Sequence, residues 1–168
     1  MPSYQTALLT ATNDPIKPIE QGHRAIPDVA YNSGAYNSPV GVYCSSPGCY
    51  LKDQYGNTYT GPWYAFGGTS AGAPQWAGIV ALWSQYMTIK KSSLSQLFLT
   101  NGGLNGVLYQ TKYNQPSDQS FFNLISGSNN TGGGLCAICQ GWNQGAPGYF
   151  DDVTGLGEPN VANLLSYF

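Results

Sequence analysis

Charge is what this sequence has least of. Six Lys and Arg and eight Asp and Glu stand among 168 residues, 8 % charged with a formal net charge of −2, where ordinary globular chains carry about 25 %. The basic residues Lys17, Arg24, Lys52, Lys90, Lys91 and Lys112 form no stripe, which excludes the usual electrostatic footprint of a nucleic-acid binder. Glu, Lys and Arg are too few for a coiled coil. Long apolar runs are also lacking. The most apolar stretch, Trp76 to Trp83, is short, whereas a membrane-spanning helix needs about 20 residues. The chain does not open on a basic start followed by an apolar run, so no signal peptide is read in it. Histidine occurs once, as His23.

What is present is apolar and aromatic. Residues of the hydrophobic class make up 42 %, with 13 Tyr and 22 Gly, which supports a packed core and excludes a disordered chain. The length predicts one domain, 1–168. Four cysteines fall in two close pairs. Cys44 and Cys49 flank a Ser-Pro-Gly loop, and Cys136 and Cys139 form C-x-x-C in a Gly-rich loop. Two loop-closing disulfides, free thiols and a metal site are the three readings, the spacing being wrong for a common zinc knuckle. Low charge, an acidic balance and Tyr/Gly/Ser/Asn-rich loops fit an exported protein; Asn129-Asn130-Thr131 is a glycosylation-type triplet that by itself decides nothing.

Along the chain, residues 1–23 read as polar and Pro-punctuated, apart from an Ala7-Leu8-Leu9 patch. Ile26 to Ala30, Val40 to Cys44 and Trp63 to Phe66 read as short strands, the first of them buried. Residues 45–61 read as a hairpin or long loop with a turn at Gly56-Asn57. Residues 70–87 carry apolar side chains on nearly every side of a helical wheel, which predicts a buried central helix. Pro74 falls early enough in it to cost little. Shorter helices are expected over Leu94–Leu99 and Val161–Tyr167. Alternating strands and helices predict an α/β layered fold with some parallel sheet.

The sharpest chemical signal is Gly67-Gly68-Thr69-Ser70-Ala71-Gly72-Ala73-Pro74. Small residues surround one hydroxyl at a helix start, where free N–H groups and the positive end of the dipole favour developing negative charge. Ser70 is therefore a candidate nucleophile; the bland alternative makes Thr69 or Ser70 an N-cap.

The segment GGTSAGAPQWAGIVAL resembles the nucleophile segment of the sedolisin family, the serine-carboxyl peptidases. Subtilisins proper usually carry Met and His-Val where this chain has Ala71 and Gln75-Trp76. Further segments agree in order. Pro2-Ser3-Tyr4-Gln5 is similar to the family's P-x-Y/W-Q, and Arg24-Ala25-Ile26-Pro27-Asp28-Val29-Ala30 to R-G-x-P-D-V-A/S. Leu108-Tyr109 is similar to its L-Y, and Phe122 to Asn129 to F-x-D-I-T-x-G-x-N. Asp151-Asp152-Val153-Thr154-Gly155-Leu156-Gly157-Glu158-Pro159-Asn160 is similar to D-x-V-T-G-L-G-x-P-N. The resemblance runs from residue 2 to near the C-terminus and covers the C-terminal part of that family's catalytic domain.

It implies a partial subtilisin-like three-layer fold with parallel sheet and a buried central helix starting at Ser70, the catalytic Ser segment spanning 67–87. It implies an acid-active endopeptidase or tripeptidyl peptidase acting on a peptide or protein substrate. In the family, a Glu is the base toward the Ser, an Asp orients the Glu, and another Asp serves the oxyanion hole. All three come from segments N-terminal to the stretch matched here. None of Asp14, Glu20, Asp28, Asp53, Asp118, Asp151, Asp152 and Glu158 sits in a segment like the family's E-x-x-x-D helix or S-G-D-x-G turn. Asp28 reads as structural. His23 is the one imidazole from which a Ser–His triad could be built, in a family that does not use His.

A lone Ser without a base is a poor nucleophile, so the isolated chain is expected to be nearly inert, its partner being the missing N-terminal part of the same domain. Half a sheet would also leave open edges and an uncovered apolar face on the Ser70 helix. The resemblance further implies one calcium ion in the region 121–160. Asp151 is carried over as a carboxylate ligand, Leu124 as a carbonyl ligand, and Gly148 and Tyr149 as loop carbonyls. Asn123 stands where the family has a carboxylate, which removes one negative charge from an oxygen-only site. The competing reading is a non-catalytic, secreted, calcium-stabilised module whose Tyr/Trp-rich surface binds a polymer or partner.

Overall fold

The longest element forms where the sequence is freest of charge. The computed structural model describes residues 1–11, 22–34, 36–46, 55–57, 62–114, 121–122, 150 and 154–166. In it a 21-residue helix runs over Thr69–Ile89. The order of elements is α1 (Ser3–Ala11), β1 (Val40–Tyr43), β2 (Trp63–Phe66), α2 (Thr69–Ile89), α3 (Leu94–Asn101), α4 (Gly103–Asn114), β3 (Phe121–Phe122), β4 (Glu158–Pro159) and α5 (Val161–Ser166). The chain is thus mixed α and β. No helix among the described residues is long and apolar enough to cross a membrane.

The chain divides into two units, Met1–Ala30 with Ile79–Phe168, and Tyr31–Gly78. In the first, α4 packs against both α1 and α3. Leu8 and Leu9 of α1 and Val107, Leu108 and Tyr109 of α4 are buried, together with Phe150, Leu156 and Leu164. Ile79, Trp83 and Met87 recur every fourth residue along α2 and are buried, with the Trp83 ring edge-on to Phe98 at 6.0 Å. Ser93 caps α3 by accepting from the Gln96 N–H, and Gly102 (φ 78°) ends it with a bond from its N–H to the Phe98 carbonyl.

The second unit is built on a hairpin. β1 and β2 pair antiparallel from Val40↔Phe66 to Tyr43↔Trp63. The register puts Gly41 opposite Ala65 and Tyr43 opposite Trp63, and the Tyr43 and Trp63 rings meet edge-on at 5.3 Å. The Cys44 N–H extends the ladder by donating to Pro62 O at 2.7 Å. Cys44 is disulfide-bonded; Cys49, Cys136 and Cys139 lie outside the described residues.

Three expectations change. The strand pairs among the described residues, β1–β2 and β3–β4, are antiparallel, and no parallel pairing occurs among them. Ile26 to Ala30 is neither a strand nor uniformly buried, Ile26 being 68 % exposed. Its backbone is engaged instead by a distant loop: Leu156 N–H donates to Asp28 O (2.9 Å) and Ala30 N–H to Gly157 O (3.1 Å). The central helix begins at Thr69, one residue before Ser70, and is buried on one side only. Leu82 is 53 % and Ile89 71 % exposed, because its apolar positions outnumber those the described residues cover.

Candidate functional site

The candidate nucleophile sits where a strand turns into a helix. β2 ends at Phe66 and α2 starts at Thr69, so only Gly67 and Gly68 make the turn. Gly68 has φ 82°, and a Cβ there would meet nothing within 4 Å. The glycine is required by backbone conformation and not by space. Its carbonyl accepts the Ala71 N–H at 2.9 Å, and its own N–H donates to Ser33 O at 2.7 Å. Thr69 and Ser70 are thereby inside the helix, and the cap position belongs to Gly68; the N-cap reading of Thr69 or Ser70 falls.

Ser70 is solvent-exposed in the first turn, where N–H groups have no intrahelical partner. Gln75, one turn on, spans the corner: its Nε2 donates to Ala71 O at 2.7 Å and Asn32 O at 3.3 Å. Asn32 is itself fixed by bonds to Ser38 O (2.9 Å), Ser38 Oγ (2.6 Å) and Gly34 N (3.3 Å). Residues 32 and 33 therefore clamp the turn that presents Ser70. Sequence reasoning singled out Gln75 only as a departure from the subtilisins and missed this role.

Among the described residues the Ser70 hydroxyl has no hydrogen-bond partner, carboxylate or otherwise. His23 lies in an exposed turn and bonds no carboxylate among the described residues, so these residues do not form the acid-oriented imidazole of a Ser–His triad. Asp28 and Glu158 are the described acids. Asp14, Glu20, Asp53, Asp118, Asp151 and Asp152 lie outside the described residues, as do Asn123, Leu124, Gly148 and Tyr149. No group of three His, Cys, Asp or Glu able to hold a metal occurs among the described residues.

Asp28 is occupied elsewhere, in a polar knot that joins four of the sequence segments singled out above. One carboxylate oxygen accepts from Tyr109 Oη (3.2 Å) and from Gln5 Nε2 (3.4 Å). The other accepts from Asn105 Nδ2 (3.1 Å) and pairs with Arg24. Gln5, fully buried, also donates to Tyr109 Oη (2.8 Å) and Ala25 O (2.9 Å) and accepts the Ala25 N–H (3.1 Å). The Tyr109 ring lies between Tyr4 (5.1 Å) and Phe150 (6.1 Å). The fourth segment enters through its backbone, at Leu156 and Gly157. A Cβ on Gly155 (φ 64°) would overlap the Asp28 carbonyl and stand 2.5 Å from Pro27 O. These residues spend their polar atoms on one another, so the knot is structural, as expected for Asp28. Gln5 closes the Pro2-Ser3-Tyr4-Gln5 motif, whereas Asn105 belongs to no segment that the sequence singles out.

Burial pushes the Tyr109 hydroxyl's pKa far up; the Gln5 hydrogen bond opposes this, and the Asp28 charge adds to it. In the unfolded chain Tyr109 loses its proton near pH 10, whereas the folded chain keeps it. Its contribution is therefore complete below about pH 10 and declines as pH rises further. Tyr109→Phe is expected to flatten the alkaline limb of the stability–pH curve by up to about 1.4 kcal/mol per pH unit. Urea titrations between about pH 9 and 11.5 check this. Parallel limbs in wild type and variant would contradict it.

The chain matches no protein-family model, no curated protein and no solved structure.

Proposed function

We propose that this chain is the serine-bearing portion of an acid-active serine peptidase of sedolisin type, with Ser70 as nucleophile. The observation that carries the reading is the exposed Ser70 hydroxyl in the first turn of a 21-residue helix, directly after a strand and a left-handed glycine. A nucleophile needs access, a rigid base and nearby N–H donors for the oxyanion. The Gln75–Asn32 clamp supplies the rigidity and the helix start supplies the donors. In the complete enzyme, Ser70 attacks the scissile carbonyl of a peptide, a glutamate takes its proton and passes it to the departing amine as the C–N bond breaks, and water then hydrolyses the acyl-enzyme. That glutamate and its aspartate partners are proposed to come from a preceding segment of the same domain, which would also complete a subtilisin-like three-layer fold with parallel sheet. Acid-range activity follows from a carboxyl-based triad, and secretion from the composition and the Cys44 disulfide.

The proposed calcium ion would be held by Asp151, Asn123 and the carbonyls of Leu124, Gly148 and Tyr149. Support comes from the strands beside them: Phe122, adjacent to Asn123, pairs with Glu158 in β3–β4, which ties the Asn123 end of this stretch to the segment that follows Asp151. The ion would neutralise Asp151 and rigidify the stretch. Added calcium is expected to raise Tm and a chelator to lower it to the metal-free value; a Tm indifferent to both sinks the site.

The enzymatic test is peptide hydrolysis at about pH 4, near ordinary carboxyl pKa values, with excess calcium. The chain alone should be inactive. Adding a polypeptide that carries the acid motifs should produce activity, which Ser70→Ala lowers by about 10⁴-fold or more. Activity that survives Ser70→Ala overturns the assignment. One observation favours a second reading, a non-catalytic calcium-stabilised module: the Ser70 hydroxyl has no partner among the described residues. Inactivity persisting in the reconstituted mixture would decide for that reading.

A further inference from the structure

A cleft of about 640 Å³ opens in the first unit, between α1, the α3–α4 turn and α4. That volume is within the range of small-ligand sites. At Gly106 the end of α3 comes so close that a Cβ there would overlap the Asn101 carbonyl. The walls of the cleft carry tyrosines 4, 109 and 113, and none of its lining residues is charged. The Tyr4 and Tyr109 rings are tilted by 44°, and Tyr113 is 45 % exposed at the rim. Tyr109 commits its hydroxyl to the knot. The side-chain polar groups of Ser3, Tyr4, Gln110 and Tyr113 have no hydrogen-bond partner among the described residues.

That lining selects among ligand classes. Phosphates and nucleic acids need cations, and none lines the cleft. An added peptide strand needs an open sheet edge, and these walls are helices whose backbone is bonded internally. An amphipathic helix needs deep aliphatic holes, and Ala7 is the one aliphatic side chain present. What remains is a neutral ligand with apolar C–H faces for aromatic rings and hydroxyls for side-chain amides and hydroxyls. We propose that this cleft binds a short neutral oligosaccharide, stacked on Tyr113 and Tyr4 and hydrogen-bonded by Gln110 and Ser3. Ser70 is not among the lining residues, and the proposal does not depend on the peptidase reading.

The test is calorimetric titration of the full chain with the trisaccharides of glucose (α-1,4 and β-1,4), xylose and N-acetylglucosamine, up to about 10 mM, the weak limit of a specific site. At least one should bind with a Kd at or below about 1 mM. Tyr113→Ala and Gln110→Ala should each weaken it by roughly ten-fold or more while leaving Tm unchanged. Both side chains reach solvent at the rim, so neither substitution opens the core. Ser70→Ala should bind as wild type does. No heat from any of the four sugars overturns the proposal, as does binding that Tyr113→Ala leaves intact. Binding of a proline-rich peptide in place of the sugars would also overturn it, that being the other chemistry an aromatic-lined groove accepts.

Discussion

Gly155→Ala is expected to lose about 3 kcal/mol of stability or more, enough to leave much of a marginally stable chain unfolded. Two costs combine. The residue has φ 64°, where a Cβ costs about 1–2 kcal/mol. The new methyl would also enter the Asp28 peptide and approach Pro27 O to 2.5 Å; such overpacking costs about 1–3 kcal/mol. The Asp28 carbonyl is held in place, because its oxygen accepts the Leu156 N–H. Gly22→Ala is the control. Its φ is 86°, and a Cβ there meets nothing within 4 Å, so only the backbone cost of about 1–2 kcal/mol remains. Urea midpoints of the two variants check the comparison. Equal losses would mean that close approach at Gly155 contributes nothing.

Gln5→Leu keeps the volume of a buried side chain and removes its hydrogen bonds. The Ala25 N–H and C=O lose their Gln5 partner, and Tyr109 Oη loses a donor. Each buried group left unpaired costs about 1–3 kcal/mol, so a loss of about 3 kcal/mol or more is expected. Tyr109→Phe alone should cost about 1–2 kcal/mol, since it strips one donor from Asp28 and one acceptor from Gln5. The double variant should be more stable than the sum of the two losses predicts, because each substitution removes a partner that the other orphans. Strict additivity in denaturant titrations would show that the amide and the phenol do not act as one network.

The sequence was legible where pattern and backbone chemistry agreed. β2 is found at Trp63–Phe66 as expected, where an aromatic run meets two glycines. α2 is found because 21 residues without a charge admit few alternatives to a helix once Pro74 falls near its start. Two helices were not legible. α4 carries Gly103, Asn105 and Gly106, all poor helix formers, yet it forms because Val107, Leu108 and Thr111 bury one face and Gly106 lets α3 cross closely. α1 offers only Gln5, Leu8 and Leu9 as buried positions, and a buried glutamine reads as polar surface. Ile26 to Ala30 misled in the opposite direction: apolar residues around a Pro-Asp pair look like a strand, but Asp28 is there for its carboxylate. For the candidate site, Ser70 and its glycines stood out in sequence. The clamp from Asn32 and Gln75 did not, because amide–carbonyl contacts across 43 positions leave no local spacing.

The division of the chain carries a consequence for its biosynthesis. Residues Tyr31–Gly78 form one uninterrupted stretch, while the other unit joins Met1–Ala30 to Ile79–Phe168. Gln5 reaches Tyr109 across 104 positions, and Asp28 must wait for Leu156. On a ribosome, the hairpin and the turn before Ser70 can settle while later codons are still being read. Helix α1, made before the rest of its unit, has no core to join until α4 and the Leu156 loop have emerged. Closing such distant contacts is slow, and Leu8 and Leu9 stay open to other nascent chains meanwhile. Slower translation should therefore lengthen the window for chaperone capture at α1 and leave the Ser70 turn little affected.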